Sequence, residues 1–291
     1  MRHTRSYIAV MLLFLPAVAR LLAGDVHKEI RRSDEREARV RVESSFGSVN
    51  IRRGAGDRIA VIDYRDSKNK DTGVEIDYRL QDRIGNLQLD LNPSGMSKDG
   101  EGHTHVNFDF KTDEWLIRLT EAIPLAIDAS LGAGKADLDL TGLNINKFTL
   151  STGASSTKIR FGEPNKSSIE HMKIEAGVSK LVAEGLCNAN FRHLNFEGGV
   201  GSYFLNFDGD LRREVDVKVD FGMGTITLEI PSKIGVRVNY SDNWLSSFSF
   251  AEDMDKERDG VQVSSNYSNA EGRINIYVDS GLGHVKIRRS Y

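Results

Sequence analysis

Glycine-centred corners recur along the second half of this chain at nearly constant spacing, and no other feature restricts its fold so tightly. Gly132, Gly153, Gly177, Gly199 and Gly222 follow one another at 21, 24, 22 and 23 residues. A self-similar period in this range marks stacked repeat architectures. The residues around each corner repeat as well. Five places before it stand Ile127, Phe148, Met172, Leu194 and Val217, and three before it Ala129, Leu150, Ile174, Phe196 and Val219. Four places after it come Ala136, Thr157, Leu181, Tyr203 and Ile226, and six after it Leu138, Ile159, Ala183, Leu205 and Leu228. Eight places after it the series runs Leu140, Phe161, Gly185, Phe207 and Ile230. The register also fits two distant units, one at Gly281 and one at Ser45.

Equal parity on a strand means one face, so these places predict inward-pointing rows on either side of a tight turn. Glycine at the turn permits positive φ and a close approach between neighbouring rungs. One rung cannot bury its apolar face alone. Neighbours stacked at about 4.8 Å make a continuous core. The expected fold is therefore all-β, a β-solenoid of stacked glycine-cornered rungs of about 22 residues. The stacking places Asp137 and Asp139 beside Lys158 and Arg160 of the next rung.

Two outward places break the polar pattern. Val182 and Phe204 stand five places after adjacent corners, and an outward apolar pair invites a partner. The alternative is cover from within the chain, for which Trp244, Phe248 and Phe250 of a late insertion are available.

Upstream of the stack, residues 1–24 read as a secretory signal peptide. Arg2, His3 and Arg5 precede an apolar run from Tyr7 to Leu15, and Ala17-Val18-Ala19 has the small-residue cleavage pattern. No later segment is long and apolar enough to span a membrane. Residues 25–37 form a charged lead-in with some helical character. Residues 38–124 form an N-terminal β region with a loop at 93–104, and residues 125–291 the solenoid, with the late insertion around 240–270. A formal net charge of −3 argues against a nucleic-acid binder or a polybasic membrane binder. Cys187 is the one cysteine, so no intrachain disulfide forms, and it reads as a small buried hydrophobe.

The stretch from Trp115 to Gly209 resembles the bacterial toast-rack family, which is related to adhesin-like domains and to the C-terminal domain of cell-wall-active antibiotic response proteins. The matching residues are Trp115-Leu116-Ile117-Arg118-Leu119, Ile123-Pro124-Leu125 and Gly132-Ala133-Gly134 through Leu143. Thr152-Gly153-Ala154, Gly177-Val178-Ser179 and Gly198-Gly199-Val200-Gly201 complete the set, with Ile230-Pro231 and Gly281-Leu282-Gly283 similar further on. Where the family more often has a second glycine, this chain has Ala154-Ser155-Ser156 and Val178-Ser179. The resemblance implies a right-handed β-solenoid on the extracytoplasmic side of a bacterium, adhesin-like or envelope-associated and without enzyme activity. It supplies no site residues.

The residues themselves mark no catalytic, cofactor or metal site. Gly132-Ala133-Gly134-Lys135-Ala136 lacks the Ser/Thr and the following helix of a phosphate loop. His103 and His105, near Asp99 and Glu101, offer two ligands where zinc takes three or four. His171, His193 and His284 read as residues of exposed turns. Residues 253–259 lack the central glycine of an EF-hand loop. Acidic pairs such as Asp137 and Asp139 are ordinary on an outward face, and no G-x-S-x-G elbow occurs. The expectation is a non-enzymatic, exported envelope protein, periplasmic or at the cell surface. It would be an adhesin-like or scaffold solenoid binding an envelope protein or polysaccharide. The alternatives are an accessory module of envelope-stress sensing and, behind it, a carbohydrate-active β-helix enzyme.

Overall fold

The computed structural model describes residues 26–65, 74–91, 96–98, 104–106, 114–241 and 245–290. The expected signal peptide lies outside them, as do His103, Asp99, Glu101 and Trp244. Before the central stack come β1 (Val26–Arg31), β2 (Glu37–Arg53), β3 (Arg58–Arg65), β4 (Glu75–Gln81), β5 (Ile84–Leu91), β6 (Met96–Lys98), β7 (Thr104–Val106) and β8 (Glu114–Leu119). The stack continues with β9 (Leu125–Asp139), β10 (Ile145–Arg160), β11 (Ile169–Glu184), β12 (Phe191–Asn206) and β13 (Glu214–Pro231). Then follow β14 (Gly235–Tyr240), β15 (Ser246–Ser249), β16 (Met254–Arg258), β17 (Val261–Ser264) and β18 (Arg273–Ser290).

Each rung of the solenoid is one long bent strand. β2, β9, β10, β11, β12, β13 and β18 run side by side, all parallel, and each carries one corner. The side chains five and three places before each corner, and four and six places after it, are at most 5% exposed in all seven rungs. The two-residue period thus fixes which face is core on both arms of every strand.

The corner glycines serve one of the two purposes the sequence proposed. At Gly132, Gly153, Gly177, Gly199, Gly222 and Gly281, φ is not positive. What selects glycine there is proximity: a Cβ on Gly153 would lie 2.5 Å from the Gly132 carbonyl oxygen, and one on Gly281 2.3 Å from that of Gly222. Positive φ occurs two places later, at Gly47, Gly134 and Gly224. Ser155 and Ser179 fill the same place in β10 and β11, paired with each other and without positive φ.

Gly185, eight places after the Gly177 corner, has φ +72 and opens a short 3-10 turn, Leu186–Ala189. Leu186 and Ala189 of that turn restore the buried contribution. The return loops are pinned by Asn165. Its Oδ1 accepts the Ile145 N–H (2.8 Å), and its Nδ2 donates to the Ile145, Ser167 and Ala189 carbonyls (2.7, 2.7 and 3.1 Å).

Chain order and spatial order part company at both ends. β2 lies between β9 and a split rung, in which β5 pairs with its first arm and β8 with its second. β18 lies between β13 and a second split rung, made of β14 and β15. In both split rungs two short strands stand where the inner rungs have one continuous strand. Antiparallel strands finish each end: β4 on β5 and β3 on β8, with β1 on β3, and at the far end β17 on β14 and β16 on β17. Antiparallel closure with charged outer strands covers the open edges of a stack. β6 pairs with β7 antiparallel, where a loop was expected.

The lead-in is a strand rather than a helix. Val26 and Ile30 are buried while His27, Lys28 and Glu29 face out, which suits pairing with β3. Glu35, 3% exposed, ties the following turn to β4. It accepts hydrogen bonds from the Tyr78 hydroxyl (2.5 Å), the Ser33 N–H (2.6 Å) and the Ser33 hydroxyl (3.2 Å). Aromatic pairs plug both ends, Tyr64 on Trp115 (centroids 4.2 Å apart) and Tyr240 against Phe248 and Phe250 (4.5 and 5.2 Å).

Candidate functional site

A corner built this way presents several parallel tracks along the stack, because every rung repeats the same places. Two places before the corner, outward side chains run Ser151, Glu175, Glu197, Asp220 and Asp279 on successive rungs. At the corner itself glycine leaves a track with no side chain. One place after it the residues are Phe46, Ala133, Ala154, Val178, Val200, Met223 and Leu282, with pairings from Phe46 to Ala133 to Ala154 and from Val178 through Leu282. Val178 is 65% exposed, Leu282 50%, and Val200 and Met223 46% each. The acidic and glycine tracks together form an open groove of about 670 Å³ that runs from β10 to β18.

Two lysines partly balance the acidic track. Lys173 lies 2.6 Å from Glu175 and 3.7 Å from Glu197, and Lys218 lies 2.6 Å from Asp220. The hydrogen bonds to Glu175 and Asp220 lead in holding these ammonium groups above the ordinary lysine value. Asn195 Nδ2 donates to Glu197 at 2.8 Å.

The apolar track was not among the sequence-derived candidates, although the same register contains it: the place after the corner is apolar in all seven rungs. The inward rows occupy the even places after the corner, and this track lies on an odd one, directly against the turn. The sequence-derived pair does lie together. Val182 and Phe204 are direct neighbours on β11 and β12, both half-buried. The Arg288 guanidinium sits over the Phe204 ring at 5.5 Å from its centroid and pairs with Glu229. Phe248 and Phe250 are not a cover for that pair. They are taken up by Tyr240 at the end of the stack, with Phe248 in register with buried Val285.

The other residues singled out from the sequence take ordinary places. Asp137 and Asp139 pair in register with Lys158 and Arg160. The close ion pairs run from Arg52 to Asp137 (2.7 Å), and from Lys158 and Arg160 to Glu184 (3.2 and 3.3 Å). His171 and His193 are on strands, not turns, with rings stacked at 5.2 Å, and His284 is on β18 beside Ser247. Lys135 follows Gly134 into a strand rather than a helix. Residues 254–258 are β16, and Asp253 pairs with Arg289 at 3.1 Å. Cys187 is buried, and that burial pushes its thiol up to about 12. Among the described residues no three His, Cys, Asp or Glu side chains are grouped to hold a metal ion.

A family model, the N-terminal domain of toast_rack (DUF2154), matches residues 23–184, more than half of the chain. The chain belongs to the toast-rack family. The match ends with β11, so the toast-rack stack continues through β12, β13 and β18 by repeating its own rung. Curated proteins give no match.

Solved structures similar to this toast-rack chain include a provisionally assigned cell adhesion protein of Clostridium sporogenes. It is 18% identical with a TM-score of 0.46, over 92% of this chain and 100% of that one. A provisionally assigned adhesin of Bacteroides fragilis is 10% identical with a TM-score of 0.29, and a provisionally assigned lipid-binding protein of Parabacteroides distasonis is 11% identical with 0.34. Each covers 92% of this chain and 97% of its own. At such scores the likeness says nothing about function.

Proposed function

We propose that this toast-rack chain is a non-enzymatic, adhesin-like protein of the bacterial cell envelope that binds a partner along the outside of its stack. One observation carries this reading: the exposed apolar track at the corners, continuous through Val178, Val200, Met223 and Leu282. Contiguous apolar surface left open to water marks an interaction site. The basic, then apolar, then small-residue start of the chain supports export. Val182 and Phe204 supply a second, smaller apolar contact on the following arm of the rungs.

The reading is tested by fractionating cells that make the full chain and by measuring retention of the purified protein on isolated envelopes. The protein is expected in the envelope or the medium. Val200→Asp with Met223→Asp is expected to abolish retention while leaving the melting temperature near that of the parent. Recovery in the cytosol, or undiminished retention of that variant, would refute the reading. Val182→Asp with Phe204→Asp is expected to weaken retention less.

A further inference from the structure

We infer that the corner edge of the stack takes a second copy of this chain, in a reversible two-fold dimer whose stacks run parallel. This rests on the reading of the exposed apolar track as a binding surface and names the partner it takes. On β11, β12, β13 and β18 the ridge of Val178, Val200, Met223 and Leu282 stands one place beyond the glycine floor of the open groove. Ridge and groove lie side by side and repeat with one period. A two-fold axis along the stack, midway between them, sets the ridge of each copy in the groove of the other, rung by rung. A floor without side chains lets the ridge rest on backbone. A two-fold interface uses one patch on both copies, so the patch has to complement itself.

Charge sets the direction. The same axis brings the row two places before the corner in one copy against the row three places after it in the other. Glu175 then meets Lys180, Glu197 meets Ser202, Asp220 meets Thr225 and Asp279 meets His284. Lys180, Ser202 and Thr225 are exposed in the single chain. Earlier rungs set Glu43 against Ser48 and Ser130 against Lys135. Every carboxylate in the row thus meets a donor, and no rung opposes like charges. Lys173 and Lys218 hold Glu175 and Asp220 from within the first arm, and a carboxylate has lone pairs for a second donor. With the stacks antiparallel the two acidic rows would face each other, Glu197 against Asp220, and like charges in apposition oppose that arrangement.

Size sets the strength. Seven rungs make a strip about 34 Å long, and the five residue steps from the acidic row to the donor row make it about 16 Å wide. Such a strip offers at most on the order of 500 Å² per copy, below the roughly 800 Å² of a standard interface. The dimer is accordingly weak, with a Kd of about 10–100 µM.

The test is sedimentation velocity of the full mature chain over about 1–300 µM. The chain is expected to pass from monomer to dimer across that range and to form nothing larger, since a two-fold contact closes on itself. Val200→Asp with Met223→Asp should stay monomeric throughout with an unchanged melting temperature. Lys180→Glu and Glu175→Lys should each dimerise at least about tenfold more weakly alone, and their equimolar mixture should recover to within about threefold of the parent. Should either fold poorly, Val178→Cys and Leu282→Cys serve instead. Each is expected to cross-link to its own kind with a short bis-maleimide, because ridges of the same rung adjoin, while buried Cys187 stays unmodified. A chain that is monomeric over the whole range would overturn the inference. So would a mixture no better than its components, or cross-links that join Val178→Cys only to Leu282→Cys. A monomeric chain that envelopes lacking it still retain through the ridge loses the second-copy assignment alone. A cytosolic chain loses the functional reading beneath it.

Discussion

Substituting alanine at the glycines of the corners separates close approach from backbone conformation, because Gly153 meets only the first requirement and Gly134 meets both. At Gly153, φ is not positive, and the new Cβ would sit 2.5 Å from the Gly132 carbonyl oxygen. A relaxed carbon–oxygen contact is about 3.3 Å or longer, so the rungs must part by most of an ångström. Both flanking strands are hydrogen-bonded along their length and cannot yield locally. Overpacking of this kind costs about 1–3 kcal/mol, offset by up to about 1 kcal/mol from the stiffer unfolded chain. Gly153→Ala should therefore lose about 1–2 kcal/mol, or several degrees of melting temperature in a domain of this size. Gly134→Ala adds strain from φ +135 to a 2.0 Å approach and should lose about 2–4 kcal/mol. Gly222→Ala, at 3.0 Å, should cost less than Gly153→Ala, and Gly56→Ala, 3.3 Å from the Ala122 Cβ, close to nothing. Urea and thermal unfolding followed by circular dichroism would rank them. A Gly153→Ala protein as stable as the parent, or a Gly134→Ala protein no worse than Gly153→Ala, would refute this account of the corners.

Three further outcomes follow from single buried groups. Tyr78→Phe removes a donor from Glu35. Burial works to raise that carboxyl, but the Tyr78 and Ser33 hydrogen bonds outweigh it and hold the group below its ordinary value of 4.5. The variant should lose about 1–2 kcal/mol at neutral pH. Because the folded value is depressed, the deficit should be full above pH 4.5 and shrink as the pH falls through the folded value, which unfolding at graded pH would show. Asn165→Ala strands the Ile145 N–H and loosens three carbonyls, so chemical unfolding should show a loss of about 2–3 kcal/mol. Cys187, with its thiol pushed up by burial, should resist iodoacetamide at pH 8 in the native protein and react promptly in urea, as read by mass spectrometry.

The interior of the stack is legible in the sequence because the period-two rows are enforced by burial on every rung. A one-residue slip at Phe148 or Leu205 would turn a buried side chain into water. The Ser155 and Ser179 corners show the same: the paired rungs settle the backbone there even where the family's second glycine is missing. Spatial order is another matter. β18 has the same pattern as β13, so periodicity places it in the stack without saying which rung it adjoins. That is settled by the short strands β14 and β15, whose four to six residues are too few to display a period. The apolar track was hidden for a related reason. At a corner the alternation that marks inward from outward is interrupted, so Val178 and Met223 look like core residues by type and lie in water by position.

The corner groove exists as drawn only if β18 adjoins β13, since that contact sets Asp279 beside Asp220 and Leu282 beside Met223. Pairs of cysteines on the exposed ridge test it directly. Neighbouring rungs bring Cα atoms within reach of a disulfide, and rungs two apart, at about 9.6 Å, do not. Met223→Cys with Leu282→Cys is expected to close an intrachain bridge on mild oxidation, read as a mobility shift on a non-reducing gel. Met223→Cys with Leu245→Cys, which would be neighbours if the rungs were stacked in chain order, is expected to stay open. The reverse result, a bridge to position 245 and none to 282, would contradict the rung order and dissolve the acidic wall of the groove.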